Sequence, residues 1–334
     1  MSDPLVTVLM SAQNSEQYIG EAIQSVLDQT FRDFEFIIID DGSTDNTLKI
    51  IRQFDDPRIR VIKNPENWGI PKSLNGGLSV CRGKYIARMD SDDVCFPNRL
   101  ETQVNYLESH PDIGVLGSEV KVIGQDGQIH NRTRNILTDP YLIKFWLLFD
   151  TVINNPTTLI NKEFLDRVGG YNPAFKYAED YELWTRLVKI TKIAVSPESL
   201  VYWRDHGDNA TFTSYAFRRE LHHKLSIQEV KKLTGVEFSD EVFEAYRSKD
   251  VLSPRLARQV VKLFRLSLKG YVKTEPGTAA QRKELINRVN WVIFRVLQRT
   301  KPQVMVADEY LAVYLQNRDI FVSNLHKIKG NQKK

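Results

Sequence analysis

The sequence predicts an α/β fold, a parallel sheet covered by helices on both faces, followed by an all-helical C-terminal appendage. Three observations support this reading. Short, continuously apolar runs alternate with amphipathic helical periods, as strands buried on both sides require. The early runs stop at polar clusters, where open α/β sheets bind their ligands. From about residue 215 the helical periods continue without strands and become increasingly basic.

Taken in order, Leu5-Val6-Thr7-Val8-Leu9-Met10 is β-rich and ends at Ser11-Ala12-Gln13-Asn14, after which Ile19, Ala22, Ile23, Val26 and Leu27 recur at helical spacing. Residues 34–39 repeat the pattern. Their apolar run stops at Asp40-Asp41-Gly42-Ser43-Thr44-Asp45, where Ser43 or Asp45 can cap a helix carrying Leu48, Ile51 and Phe54. Residues 58–62 and 84–89 read as the third and fourth strands, with a helix at 70–80 between them. The fourth runs directly into Asp90-Ser91-Asp92-Asp93, and Pro97-Asn98-Arg99-Leu100 then starts a helix. Three polar clusters far apart in sequence are therefore expected at one crevice beyond the strand ends.

Further on, residues 113–123 and 128–135 read as a strand pair turning at Gln125-Asp126-Gly127, and 139–149 as an apolar helix. Residues 155–160 read as a strand, followed by a short helix to Gly169-Gly170-Tyr171. Glu179-Asp180 opens a helix in which Leu183 pairs with Leu187 and Trp184 with Val188. Strands at 193–195 and 200–203 precede Arg204-Asp205-His206-Gly207. Helices are expected at 218–233, 242–247, 255–269, 282–299 and 309–315.

With 334 residues and 42% hydrophobic content, the chain is long enough for one large domain with an appendage, or for two domains. Cys81 and Cys95 are too few for a disulfide framework and lack metal-site spacing, and no basic-then-apolar leader is present, which points to a reducing, cytoplasmic location. No run reaches the roughly 18 to 20 apolar residues that a membrane span requires. The net charge of +4 hides an asymmetry: residues 251–334 hold 17 Lys plus Arg against 5 Asp plus Glu, a net of +12, leaving −8 for residues 1–250.

Asp90-Ser91-Asp92-Asp93 carries the chemistry. Crowded carboxylates raise one another's pKa unless a cation lies among them, and hard oxygen ligands select Mg²⁺, Mn²⁺ or Ca²⁺. An EF-hand is excluded, since Val94 and Cys95 stand where it needs an oxygen ligand and a glycine. An isolated Asp-x-Asp would read as a capping turn. Here its position at a strand end favours Asp90 and Asp92 sharing one cation that faces a diphosphate. Asp40 and Asp41 read both as turn residues and as acceptors for a nucleotide's base or ribose. Glycine-rich phosphate loops and a Walker lysine are absent, so phosphates must be held by metal and side chains.

These segments, together with Ser25-Val26-Leu27-Asp28-Gln29-Thr30-Phe31, Asp33-Phe34-Glu35, Asn67-Trp68-Gly69, Gly83-Lys84-Tyr85-Ile86-Ala87-Arg88-Met89 and Glu179-Asp180, resemble in order the family 2 glycosyltransferases of GT-A fold. The resemblance covers roughly residues 4–210. It implies a Rossmann-like mixed sheet between helices, with a catalytic domain at 1–214 (nucleotide-sugar binding about 1–110, acceptor side about 111–214); the basic helical region at 215–334 lies outside it. It places Ser11, Gln13 and Asp41 at the nucleoside, Asp41 at the base, and Lys72 near base or phosphate, with Asn14 retained in the first loop; Asp40 joins the nucleotide-binding candidates from its strand-end position. Asp90, Ser91 and Asp92 fall at the donor diphosphate, the two aspartates on Mn²⁺ or Mg²⁺, with His206 as a late metal or phosphate ligand. Asp180 matches the base that deprotonates the acceptor in inverting members; apart from the resemblance, Glu179 and Trp184 are candidates for the acceptor side. Many relatives carry an aromatic where Gln13 stands, which removes that stacking partner.

A capping role for Glu179 or Asp180, a structural His206 and a core Trp184 are the plainer alternatives. In the tail, Arg255, Arg258, Lys262, Arg265 and Lys269 recur at three or four residues, a pattern that fits either a peripheral contact with an anionic membrane or a solvated helix face. No nucleic-acid-binding module accompanies the charge. The expected function is an inverting, metal-dependent transfer of sugar from a nucleotide-sugar donor to a hydroxyl of a glycan or lipid-linked acceptor at the inner face of a membrane, as in cell-surface polysaccharide synthesis. The alternatives are a sugar nucleotidyltransferase, whose glycine- and lysine-rich first loop is missing, and a non-catalytic glycan-binding relative.

Overall fold

A computed structural model describes residues 3–130, 137–206 and 215–300. The far end of the strand expected at 128–135 and the helix expected at 309–315 lie outside them. The chain divides into two compact units, Met1–His222 and His223–Lys334.

The first unit is a nine-stranded sheet. Strand β1 (Val6–Ala12) lies between β2 (Phe34–Asp40) and β4 (Tyr85–Asp90), and β3 (Ile59–Lys63) flanks β2, all four parallel. Strands β1 and β2 are almost wholly buried, which explains their unbroken apolar sequence. Helix α1 (Ile19–Leu27) buries Ile19, Ala22, Ile23 and Val26, the i, i+3, i+4, i+7 stripe, against this sheet. Helices α2 (Thr47–Ile51), α3 (Ile70–Leu78) and α4 (Arg99–Ser109) make the other crossovers.

Register then aligns the strand ends. Ser11 lies opposite Asp90 and Ala12 opposite Asp40, so the polar clusters after β1, β2 and β4 meet at one edge.

Beyond β4 the sheet is mixed, so a wholly parallel arrangement holds only for its first four strands. Strand β8 (Leu159–Asn161) is antiparallel to β4 and to β6 (Ile113–Ile123), while β9 (Lys192–Arg204) is parallel to β6. A two-residue strand, β5 (Val94–Cys95), is antiparallel to β9, and β7 (Ile129–His130) to β6. The strand expected at 155–160 is a 3-10 turn over its first part, Asn155–Thr157, because Pro156 has no N–H to donate to a ladder. The two short strands expected at 193–203 are one strand, whose irregular stretch is absorbed by register shifts around Glu119. Helix α5 (Pro140–Trp146) is shorter than expected and is capped by Asp139, which accepts from the N–H groups of Tyr141 and Leu142. Helices α6 (Lys162–Val168) and α7 (Glu179–Leu187) follow as the sequence indicates.

The second unit contains helices Asp240–Arg247, Pro254–Thr274 and Ala279–Gln298, and the helix Tyr215–Thr234 runs across the division. Among the described residues no helix is long and apolar enough to cross a membrane. Cys81 and Cys95 are free and buried.

Candidate active site

Three loops build the site. The loop after β1 is laced to the loop after β2: the N–H of Asn14 donates to Ser43 Oγ at 3.1 Å, and Asn14 Oδ1 accepts from the N–H of Thr44 at 2.9 Å. Asn14 has a φ of 50°, a left-handed conformation that asparagine tolerates. Ser11 is half-buried at the end of β1, and Gln13 is exposed. Ser15 links this loop to the acidic one through a 2.8 Å hydroxyl contact with Ser91.

Asp41 is buried and acts as a clamp. Its Oδ1 accepts from Asn64 Nδ2 at 2.8 Å and from the N–H of Trp68 at 2.9 Å, and its Oδ2 accepts from the N–H of Gly69 at 2.9 Å. That clamp needs Gly42, since a Cβ there would lie 2.4 Å from the Glu66 backbone. Lys72, one turn further on, holds its ammonium 3.9 Å from the centre of the half-exposed Trp68 ring. Neighbouring Asp40 is wholly buried, with Oδ1 accepting from the N–H of Ser43 and Oδ2 lacking a hydrogen-bond partner.

In the acidic loop, Asp90, Asp92 and Asp93 offer carboxylate oxygens lying within 4.8 Å of one another. Two buried arginines that the sequence reading did not assign hold the loop. Arg88 bonds the Met89 carbonyl and donates to Asp90 Oδ1 at 2.5 Å. Burial works against its charge, but Asp90, Tyr171, Glu179 and Asp93 surround it and hold its pKa above the ordinary value. Arg204, from β9, donates its N–H to Asp93 Oδ1 and its Nε to the Asp92 carbonyl, both at 2.9 Å, and its guanidinium also meets Glu21 at 2.6 Å. A third, Arg99, supports β4 from behind by donating to the Arg88 carbonyl at 2.7 Å.

Burial pushes the Asp93 carboxyl well above the usual range, with Asp92 and Asp90 adding to the rise. Asp90 is also raised, by burial first; Arg88 opposes the shift, and Asp92 and Asp180 reinforce it. His206 Nε2 lies 2.9 Å from Asp92 Oδ2. The converging carboxyl set thus includes Asp93, which sequence reasoning did not assign as a ligand, while His206 stands behind Asp92.

Glu179 and Asp180, in the first turn of α7, join the same electrostatic neighbourhood, both acting on the buried Tyr171 and on each other. Burial, then Asp180, pushes the Glu179 carboxyl up to about 8. Its Oε2 is buried without a hydrogen-bond partner. Asp180 is half-buried and accepts at Oδ1 from the N–H of Tyr181 at 2.7 Å. The loop leading to this pair is fixed from helix α3. Asn75 of α3 donates to the Tyr171 carbonyl at 2.7 Å and accepts from the Tyr171 N–H at 2.9 Å.

Trp184 follows its plainer reading as a core residue and not the acceptor-side alternative. It is 0% exposed, so its indole packs in the core and presents no face on which an acceptor sugar could stack.

Residues 7–169 match the family described as Glycosyl transferase family 2. A glycosyltransferase of Haemophilus influenzae is 36% identical over 237 residues, covering 68% of this chain and 73% of the relative. The putative glycosyltransferase EpsE of Bacillus subtilis is 29% identical over 249 residues, 73% of this chain and 88% of that protein. Among solved structures, residues 1–349 of S. aureus TarS in complex with UDP-GlcNAc align with a TM-score of 0.57 at 20% identity, over 90% of this chain and 84% of that one. The mannosyltransferase PcManGT from Pyrobaculum calidifontis, in complex with GDP-Man and Mn²⁺, aligns with a TM-score of 0.53 at 14% identity, over 94% and 86%. The fold is GT-A, and the molecule is a glycosyltransferase. This chain belongs to glycosyltransferase family 2.

Proposed function

We propose that the crevice binds a nucleotide-sugar diphosphate with Mn²⁺ or Mg²⁺ and transfers its sugar, with inversion, to a hydroxyl of a glycan or lipid-linked acceptor in cell-surface polysaccharide synthesis. The observation that carries this is the convergence of the Asp90, Asp92 and Asp93 carboxylates on one point, with Asp90 in electrostatic reach of Glu179 and Asp180 some 90 residues further on. The carboxyl set fits a hard divalent ion: all the offered atoms are oxygens, and Asp93 Oδ2 is buried without a partner. Asp90 and Asp92, with Asp93, would hold the ion, which when bound neutralises the charge of the departing diphosphate. TarS and PcManGT were solved with UDP-GlcNAc and with GDP-Man and Mn²⁺, which supports the same ligand class here.

The chain's own residues do the rest. Asp41 shapes the Trp68-Gly69 loop, beside which Ser11, Gln13 and Asn14 form the nucleoside end; Asp40, wholly buried, supports that end from beneath through the Ser43 N–H, and Lys72 supplies positive charge at its rim. Ser91 ties the acidic loop to the first loop. His206 orients Asp92 by hydrogen bonding, as outer partners of metal-bound carboxylates do. Asp180 takes the proton from the acceptor hydroxyl, and Glu179 beside it, its carboxyl pushed up by burial and by Asp180, shapes the field at that position. A peripheral site at the inner face of a membrane suits a lipid-linked acceptor.

Transfer and donor hydrolysis, assayed with Mn²⁺ and with chelator, test this reading. Asp180→Asn is expected to lower transfer by about 10²–10⁴-fold, the usual worth of a positioned base. Full transfer activity in that variant would remove Asp180 from the mechanism.

A further inference from the structure

The helix Pro254–Thr274 carries six cations and no acid: Arg255, Arg258, Lys262, Arg265, Lys269 and Lys273. All six side chains are exposed. At about 100° per residue they fall within an arc of about 80°, forming a single file roughly 27 Å long. The next helix, Ala279–Gln298, adds exposed Arg282, Lys283 and Arg295 against one acid, Glu284.

The other face of Pro254–Thr274 is already used. Ala257, Val260, Val261, Leu263, Phe264 and Tyr271 are buried, and the Phe264 ring meets Tyr246 with centroids 5.1 Å apart. An interfacial helix that inserts into a membrane needs its apolar face free. The central apolar face of this helix is packed, leaving only half-buried Leu256, Leu266, Leu268 and Val272 beside it, so its outward surface acts chiefly by charge.

We infer that this stripe docks the protein on an anionic lipid bilayer by electrostatics alone, without insertion. Charge complementarity chooses the partner: a row of cations with no interspersed acid matches a surface of anionic headgroups. Within the arc stand no asparagine, glutamine or aromatic side chains of the kind that read or stack on bases, which disfavours a nucleic acid. The inference is independent of the donor chemistry, because vesicle binding needs neither donor nor metal.

The test is co-sedimentation of the full chain with vesicles of phosphatidylcholine containing about one-third phosphatidylglycerol, against phosphatidylcholine alone. Binding is expected only to the anionic vesicles and is expected to vanish near 0.5 M salt, where screening shortens to a few Å. Arg258→Glu, Lys262→Glu and Arg265→Glu together should weaken it at least roughly tenfold with an unchanged thermal melt, while Arg258→Lys with Arg265→Lys should retain it. If the triple variant does not fold, Arg258→Gln with Lys269→Gln should still show a severalfold loss. Failure of the native chain to bind anionic vesicles, equal binding to neutral vesicles, binding that survives high salt, or a folded charge-reversed variant that binds normally would each overturn the inference.

Discussion

Arg88 is a charged residue inside an apolar strand, and its 2% exposure makes it the resident counter-charge of the acidic loop. Crowded carboxylates pointed to a metal from sequence alone; the structure adds an arginine that neutralises Asp90 from within. Arg88→Met should therefore lose about 1.5–3 kcal/mol of stability at neutral pH in a urea titration, because it removes a charge-assisted hydrogen bond from Asp90, whose side chain water still reaches. His206→Ala removes the partner of Asp92 and should weaken Mn²⁺ binding by about 10–100-fold, read by calorimetry. For Glu179 the sign follows from proton uptake: folding raises its pKa from 4.5 to about 8, so the folded chain binds the extra proton and loses stability as pH rises through that window. Glu179→Gln should match the native melting temperature near pH 4 and exceed it increasingly up to pH 8. The acids were legible because polar groups at the ends of apolar runs have few structural reasons to be there. The partners of Asp41 were not, because the N–H groups of Trp68 and Gly69 reach it only once the chain has folded.

At the level of elements, the early strands and helices were readable because each is buried on a face that its own sequence spells out. Strand β5 was not, since two residues carry no periodicity and pair only with a distant β9. The strand expected at 155–160 shows the converse, an apolar and β-branched text overruled by one proline. The link between α3 and the loop before α7 was likewise invisible, though Asn75 brackets the Tyr171 backbone across 96 positions. Asn75→Ala leaves that N–H and carbonyl without their partner, which should cost about 1–3 kcal/mol. As the loop carries Glu179 and Asp180, kcat is expected to fall while the donor KM changes little, measured by steady-state transfer. Gly170→Ala should act similarly, because a Cβ there would lie 2.6 Å from Asn75 Oδ1 at a φ of +71°.

For the whole molecule, the charge asymmetry of the sequence follows the two units. The acidic crevice lies in Met1–His222 and the basic stripe in His223–Lys334, so donor chemistry and surface attachment should be separable by mutation. A fitting nucleotide sugar with Mn²⁺, at a hundred times its dissociation constant, should raise stability by about 2.7 kcal/mol, and chelator should remove the gain. The stripe variants should leave that gain intact. The most direct test of the site is release of nucleoside diphosphate from the stabilising donor by the native chain and by Asp92→Ala. The native chain is expected to release it with Mn²⁺ and not with chelator, and Asp92→Ala to fall by at least roughly a hundredfold, the scale of losing a metal's charge stabilisation. Metal-dependent release at the native rate by folded Asp92→Ala would contradict the account.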